Sequence, residues 1–471
     1  MNLDVSASGG ARPAGQRPLD RGRGVDASTL LTVYIVLLLG WPSFISITRL
    51  GSLGRPSLIW GLLLLFWWIL SRLQTRRGDA RYPAQPLRYA FCALAIVALV
   101  SFAAAMLRGQ PADQISPAVT ALVRVASWAG VLFVAMDGIR THADAAKLVC
   151  RLAIGGAALA ALGLAQFATG QTLLDWTSAI PGLTVDLADV AVRGSFTRAS
   201  GTAVHPLEYA IPVVASLPLA ITAAVSGAFH TRSPKDSWLW WVAVAVITIA
   251  SVVAVSRSAI IGLATAVIFS LPAVPVVFRW VIAVGGGILS LTVLAVVPGM
   301  AGTIVGLFAG ASNDPSTQSR VDGLARVPEF ISSSPLIGQG FGTFLPRYYI
   351  FDNAWVLVLV ELGILGALCF ALLIIVAIGG AYWASGTSPF ASSRVMSKAI
   401  AASMITVAVL MFFFDGLSFT ISSGVLFLLA GLTAAMRAIA VADATDRSER
   451  DTGLKAVGRF RRVDSTGTSH E

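Results

Sequence analysis

The chain has 471 residues, of which 56% are hydrophobic and 12% charged, with 34 Lys and Arg against 24 Asp and Glu for a net charge of +10. Soluble domains carry about 25% charged residues, so this composition, with a mean hydropathy of +0.78, excludes an ordinary water-soluble protein and predicts an all-α polytopic membrane protein. The basic residues sit in tails and short gaps beside apolar runs, a pattern of membrane orientation that argues against a nucleic-acid partner.

Residues 1–28 are Gly-, Arg- and Pro-rich without an apolar core, which predicts a disordered cytoplasmic tail rather than a cleaved signal peptide. Apolar runs long enough to cross a bilayer follow, about twelve in all. The first six centre on Leu30–Ile47, Leu58–Leu70, Ala90–Leu107, Pro117–Met136, Leu148–Phe167 and Leu207–Val225. The second six centre on Trp238–Val255, Ala259–Val277, Trp280–Val297, Ala354–Ala377, Ala399–Phe414 and Phe419–Met436. Cys92, Cys150 and Cys369 lie in or beside such runs and read as packing residues, not as a disulfide framework or metal site. The small residues of 155–163 and Gly285–Gly286–Gly287 read as points of close helix packing.

Basic residues alternate between the gaps. Arg12, Arg17, Arg21 and Arg23 precede the first run, and Arg72, Arg76, Arg77, Arg81 and Arg88 follow the second. Arg140 with Lys147, Arg232 with Lys235, Arg279, and Arg394 with Lys398 occupy further even-numbered gaps, and a basic tail over 441–471 ends the chain. Every lysine falls on this side, against a minority of Arg49, Arg55 and Arg108 on the other. The bias predicts both termini in the cytoplasm, with residues 29–440 as the membrane-spanning domain between them.

Two gaps on the opposite side are long, about 168–206 and 298–353, and loops of that length usually carry function. Trp176, Leu183, Phe330 and Phe341 recur through these extracytoplasmic loops and predict packed caps. A short amphipathic helix is expected around Val321–Ile331, with Leu324, Val327, Phe330 and Ile331 on one face, although Pro328 weakens it. The second loop carries Arg320, Arg326 and Arg347 and no lysine. Cations placed against the charge rule point to an anionic ligand, with a solvated loop charge as the plain alternative. Arg193 and Arg198 of the first loop suit an acceptor or lipid head groups. Arg124 lies within an apolar run, where an ionisable group faces a cavity or a partner, and Glu361, within another, is expected to face the bundle interior. His205 is the one histidine on the Arg-rich side; before Pro206 it is either a helix cap or a base or phosphate donor.

Four pieces stand in order along the second half: Ser256-Arg257-Ser258-Ala259, Arg320-x-x-x-Leu324, Pro335-Leu336-x-Gly338-x-Gly340, and Asp352-Asn353 followed by Gly363-x-x-Gly366. In these pieces, over roughly Gly201–Leu368, the chain resembles the O-antigen ligase and polymerase family of bacterial membrane glycosyltransferases. The resemblance implies transfer or polymerisation of glycan from a polyprenyl-pyrophosphate-linked donor to a glycan or lipid acceptor at the outer face of the membrane. It also implies polysaccharide export proteins as a partner class. Arg257, Arg320 and Asp352 are the catalytic candidates, with Arg124, Arg193, Arg198, His205, Arg326 and Arg347 as substrate-binding candidates. For Arg257, at a helix end, snorkelling to the interface is the alternative. The family places a His where this chain has Asp352, and an Asp can accept a proton or orient an Arg but cannot become a cation.

The sequence has no His-Glu-x-x-His, no phosphate-binding Gly-Lys loop and no Asp-x-Asp pair, so neither a metal nor another cofactor is expected. The competing class is a polysaccharide transporter or lipid-linked sugar flippase. Such proteins keep their polar residues at the membrane midplane, whereas the polar investment here lies in two loops.

Overall fold

A computed structural model of the chain describes residues 26–74, 84–185, 192–193, 196–226, 229, 237–309 and 315–464. The expected N-terminal tail therefore lies almost wholly outside the described residues, as do Arg76, Arg77, Arg81, Arg232, Lys235 and the side chain of Arg193.

Lipid offers no partner to a backbone N–H or C=O, so a long apolar run satisfies them internally by forming a helix. The first half contains α1 (Ala27–Gly40), α2 (Pro56–Gln74), α3 (Pro86–Leu107), α4 (Ala112–Gly138), α5 (His142–Thr169), α6 (Pro206–Val225) and α7 (Ser237–Val253). The second contains α8 (Arg257–Ser270), α9 (Val276–Val296), α10 (Met300–Ala309), α11 (Pro315–Ile331), α12 (Ala354–Thr387), α13 (Ala391–Leu410) and α14 (Thr420–Asp464). Among the described residues nine helices are long and apolar enough to cross a membrane, and α1, α7 and α8 are shorter apolar helices. Each of the expected runs has an apolar helix as its counterpart. Helix α14 continues to Asp464, through most of the stretch expected as a tail.

Helix α6 is buried almost from end to end and packs against α5, α7, α8 and α13. Small residues let these helices close in: a Cβ on Gly156 would lie 2.0 Å from Ser216 Oγ, and one on Gly163 2.2 Å from Tyr209 Oη. Gly285–Gly287 behave differently from the expectation of close packing. A Cβ there would meet nothing within 4 Å, because α9 stands off the bundle and exposes Val277, Trp280, Val284, Ile288 and Leu291.

Both long connections are folded onto the bundle. The strand β1 (Ile45–Ile47), after α1, pairs antiparallel with β2 (Leu183–Val185), and β3 (Val192–Arg193) pairs with β4 (Phe196–Thr197). In the second connection α11 runs longer than expected and accommodates Pro328. Its packed side is Gly323 and Val327, one turn apart, against Tyr349, Phe351 and neighbouring rings. Leu324, expected on that side, is 55% exposed; a helix rotates about 100° per residue, so the position after Gly323 points away.

Helix α12 breaks at Gly363, where φ is 68° and ψ −169°. The break frees backbone groups that lipid cannot satisfy, and residues 335–340 satisfy them. Gln339 N–H donates to Val360 O (3.0 Å) and Gly340 N–H to Glu361 O (3.0 Å), while Ile364 N–H donates to Pro335 O (2.9 Å) and Leu365 N–H to Leu336 O (3.1 Å). Arg108 closes the outer side, donating from Nη2 to Gly338 O (2.9 Å). The two backbones touch, so a Cβ on Gly338 would lie 2.3 Å from the Glu361 carbonyl and one on Gly363 2.4 Å from that of Leu336. Pro-Leu-x-Gly-x-Gly and Gly-x-x-Gly are thus two halves of one contact. We expect Gly338→Ala and Gly363→Ala each to cost about 2 kcal/mol or more and to lower the melting temperature in detergent. Gly379→Ala, with open space at its Cβ, is the control expected to be neutral.

Candidate functional site

The ends of both long connections line one cavity of about 600 Å³. His205 enters from the end of the first, and Phe344, Leu345, Tyr349, Phe351 and Asp352 from the end of the second. The head of α4 supplies Ser116, Thr120 and Arg124, the turn between α13 and α14 supplies Phe414, Asp415 and Ser418, and α12 supplies Glu361.

Glu208, in the first turn of α6, fastens three segments around this cavity and is fully buried. Its Oε2 accepts from Ser43 Oγ (2.9 Å) and Val204 N–H (3.0 Å), and its Oε1 from Ile421 N–H (2.9 Å). One carboxylate thereby joins the segment after α1, the turn that carries His205 and the head of α14. Arg55 reinforces the junction by donating to Thr420 Oγ1 at 2.8 Å.

Arg124 donates to Ser418 O at 3.2 Å and so holds the turn that carries Asp415. Burial raises the Asp415 carboxyl to about 6; the nearby Asp352 adds to the rise, and hydrogen bonds from Ser418 and the charge of Arg124 oppose it. Its Oδ1 is buried without a hydrogen-bond partner. Asp352 is also raised by burial, against the pull of Arg320, whose Nη2 lies 3.8 Å from Asp352 Oδ2. The same nitrogen donates to Phe413 O at 3.1 Å.

His205 is the N-cap of α6: its Nδ1 accepts from Leu207 N–H at 3.1 Å. The ring stacks on Phe414 with centroids 5.8 Å apart. Burial, then the charge of Arg198, lowers its pKa to about 4. A neutral ring that accepts at Nδ1 carries its proton on Nε2, so His205 is a hydrogen-bond donor rather than a base.

Arg124, His205 and Asp352 therefore share the cavity, and Arg320 joins them through Asp352. Arg257 stands behind, donating from Nη1 to Thr317 Oγ1 (2.7 Å). Thr317 is one turn before Arg320 on α11, and residues three apart share a helix face. Arg326 lies 5.4 Å over the ring of Tyr349, itself a lining residue. Arg347 turns away to pair with Asp113. Arg193 lies on β3, and Arg198 is close enough to act on His205.

Two of the cavity's acids were not site candidates in the sequence, Asp415 and Glu361. Asp415 is the one charged residue between Lys398 and Arg437. An isolated acid in so apolar a stretch is the signal that marks a functional group in membrane proteins.

The class of protein is thus a polytopic membrane protein with a cavity that sets ionisable side chains among aromatic ones, walled in part by the ends of two long connections. Residues 242–371 match the O-antigen ligase family model. The chain is a membrane protein that carries an O-antigen ligase domain over those residues, which include Arg257, Arg320, Asp352 and the break in α12. A comparison with curated proteins finds no match to the chain.

The neutral state of His205 has a measurable consequence. An unfolded imidazole titrates near 6.5 and the folded one at about 4, so between these values the unfolded chain takes up a proton that the fold refuses. His205 thus makes stability rise with pH through this window and fall on acidification from 6.5 towards 4. We expect His205→Asn, whose side-chain oxygen can retain the cap, to flatten that dependence in melting curves; identical slopes in the two proteins would contradict it.

Proposed function

We propose that this protein is a membrane glycosyltransferase that takes glycan from an undecaprenyl-pyrophosphate-type carrier at the outer face of the cytoplasmic membrane and acts as a surface-polysaccharide polymerase or ligase. The single observation that carries this reading is the cavity in which Arg124, His205, Asp352, Asp415 and Glu361 meet, with part of its wall inside the O-antigen ligase domain. About twelve crossings with both termini in the cytoplasm would set this cavity on the outer side, as the distribution of basic residues implies.

In the proposed reaction an acceptor hydroxyl attacks the anomeric carbon of the donor glycan. The bond from that carbon to the phosphate oxygen breaks, and its electron pair leaves with the polyprenyl pyrophosphate. Guanidinium groups suit a diphosphate, because each offers a permanent charge and a planar fork of donors. Arg320, supported by Arg257 through the shared face of α11, and Arg124 would hold the departing charge, with the Nε2–H of His205 as a neutral donor beside them. Asp415 would take the hydroxyl proton: its Oδ1 is without a partner, and a carboxyl brought to about 6 is tuned towards a base that works near neutral pH. Asp352 would align Arg320.

Arg257→Ala and Arg320→Ala should each reduce glycan transfer by about two to three orders of magnitude with normal abundance in the membrane. Asp415→Asn should lose about two orders. Turnover of a polyprenyl-pyrophosphate glycan by the purified variants measures this, and full activity in the Arg variants would refute the diphosphate cradle. Analysis of lipid-linked glycans after gene deletion separates the two reactions: accumulated single repeats indicate a polymerase, and accumulated long chains a ligase.

A further inference from the structure

A second cavity, of about 240 Å³, lies between the head of α3, the last third of α12 and α14, with Gln85, Gly379, Gly380, Trp383 and Arg437 on its walls. It belongs to the other end of the bundle. From Thr420, beside the first cavity, to Arg437 helix α14 rises about 26 Å at 1.5 Å per residue. That is close to the thickness of a bilayer's hydrocarbon core, about 30 Å. Arg437 is therefore at the depth of the opposite leaflet's head groups.

Three features give this cavity the chemistry of a ligand site. The guanidinium of Arg437 lies 4.9 Å over the ring of Trp383 and donates to Ala84 O at 2.6 Å, which fixes a cation at the mouth. Gln85 is 4% exposed; its Nε2 donates to Ala434 O at 3.2 Å, whereas its Oε1 is buried with no hydrogen-bond partner. A buried acceptor left unmade is costly, and a donor arriving through the cavity would relieve it. Finally, a Cβ at Gly379 would meet nothing within 4 Å, and one at Gly380 only the aliphatic part of Arg437, so the wall is open.

We propose that this cavity binds the phosphodiester head group of a glycerophospholipid whose terminal substituent is a hydrogen-bond donor. The phosphate would sit against Arg437 and the terminal ammonium or hydroxyl would donate to Gln85 Oε1. Leu368, Leu372 and Ile375 continue from Gly379 along α12 at helical spacing and are 61%, 48% and 66% exposed, an apolar track for the acyl chains. The aromatic residue beside the arginine is the pairing that anchors proteins at a membrane interface.

The test is native mass spectrometry of the full-length protein in detergent, titrated with phosphatidylethanolamine, phosphatidylglycerol or phosphatidylcholine of matched chains. The first offers an ammonium donor, the second a hydroxyl donor and the third neither, so the arms also separate the two sources of the donor. Retention of at least one donor-bearing lipid about tenfold above phosphatidylcholine is expected, and its loss in Arg437→Ala. Because Arg437 also contacts Ala84 and Trp383, Gly379→Leu is the second variant: it fills the cavity from an open wall and replaces a glycine by a better helix former. Equal retention of the three lipids, or retention unchanged in Gly379→Leu, overturns the proposal.

Discussion

The architecture turns on a helix that is broken where lipid would not tolerate a break. At Gly363 the backbone of α12 leaves the helical path, and the groups it releases would each cost several kcal/mol if left bare in hydrocarbon. Residues 335–340 lie alongside and take up those groups in four backbone hydrogen bonds. This contact places the end of the second long connection over the bundle and fixes where Asp352 and Phe344–Phe351 can lie. It also aims Glu361, two residues before the break, at the cavity, where Phe344 N–H donates to its Oε1 at 3.3 Å.

Glu208 does the complementary work on the other side of the cavity. Three donors from three segments converge on one buried carboxylate, so the His205 turn and the Asp415 turn are held relative to each other by a group that is itself fully satisfied. Asp415, on the cavity wall, keeps one buried oxygen without a hydrogen-bond partner, and Asp352 meets Arg320 at 3.8 Å.

The helices were legible because apolar runs of about 20 residues have one low-energy structure in lipid. Arg124 was legible for the same reason in reverse: a charge within such a run has to face something polar, and it faces the cavity. The glycine motifs were visible as motifs, but their mutual contact was not, because residues 335–340 and 360–365 are brought together only by the break. Asp415 escaped because it falls in a short gap between two apolar runs, where a lone acid resembles an ordinary loop residue. Gly285–Gly287 misled in the other direction: small residues permit close packing but do not compel it, and α9 leaves them open. The face of α11 was misjudged at Leu324, since a helix packed through a glycine contributes its backbone rather than its largest side chain.

The central claim is that a lipid-linked diphosphate occupies the cavity between the two long connections. Site-specific photocrosslinking tests it most directly, with a photoreactive phenylalanine placed at Leu345 or Phe414 in the cavity and at Trp280, 75% exposed on α9, as the control. The account predicts adducts with a polyprenyl-pyrophosphate glycan at the two cavity positions, competed away by excess polyprenyl pyrophosphate, and none beyond background at the control. Adducts of equal yield at all three positions, or none in the cavity, would contradict it.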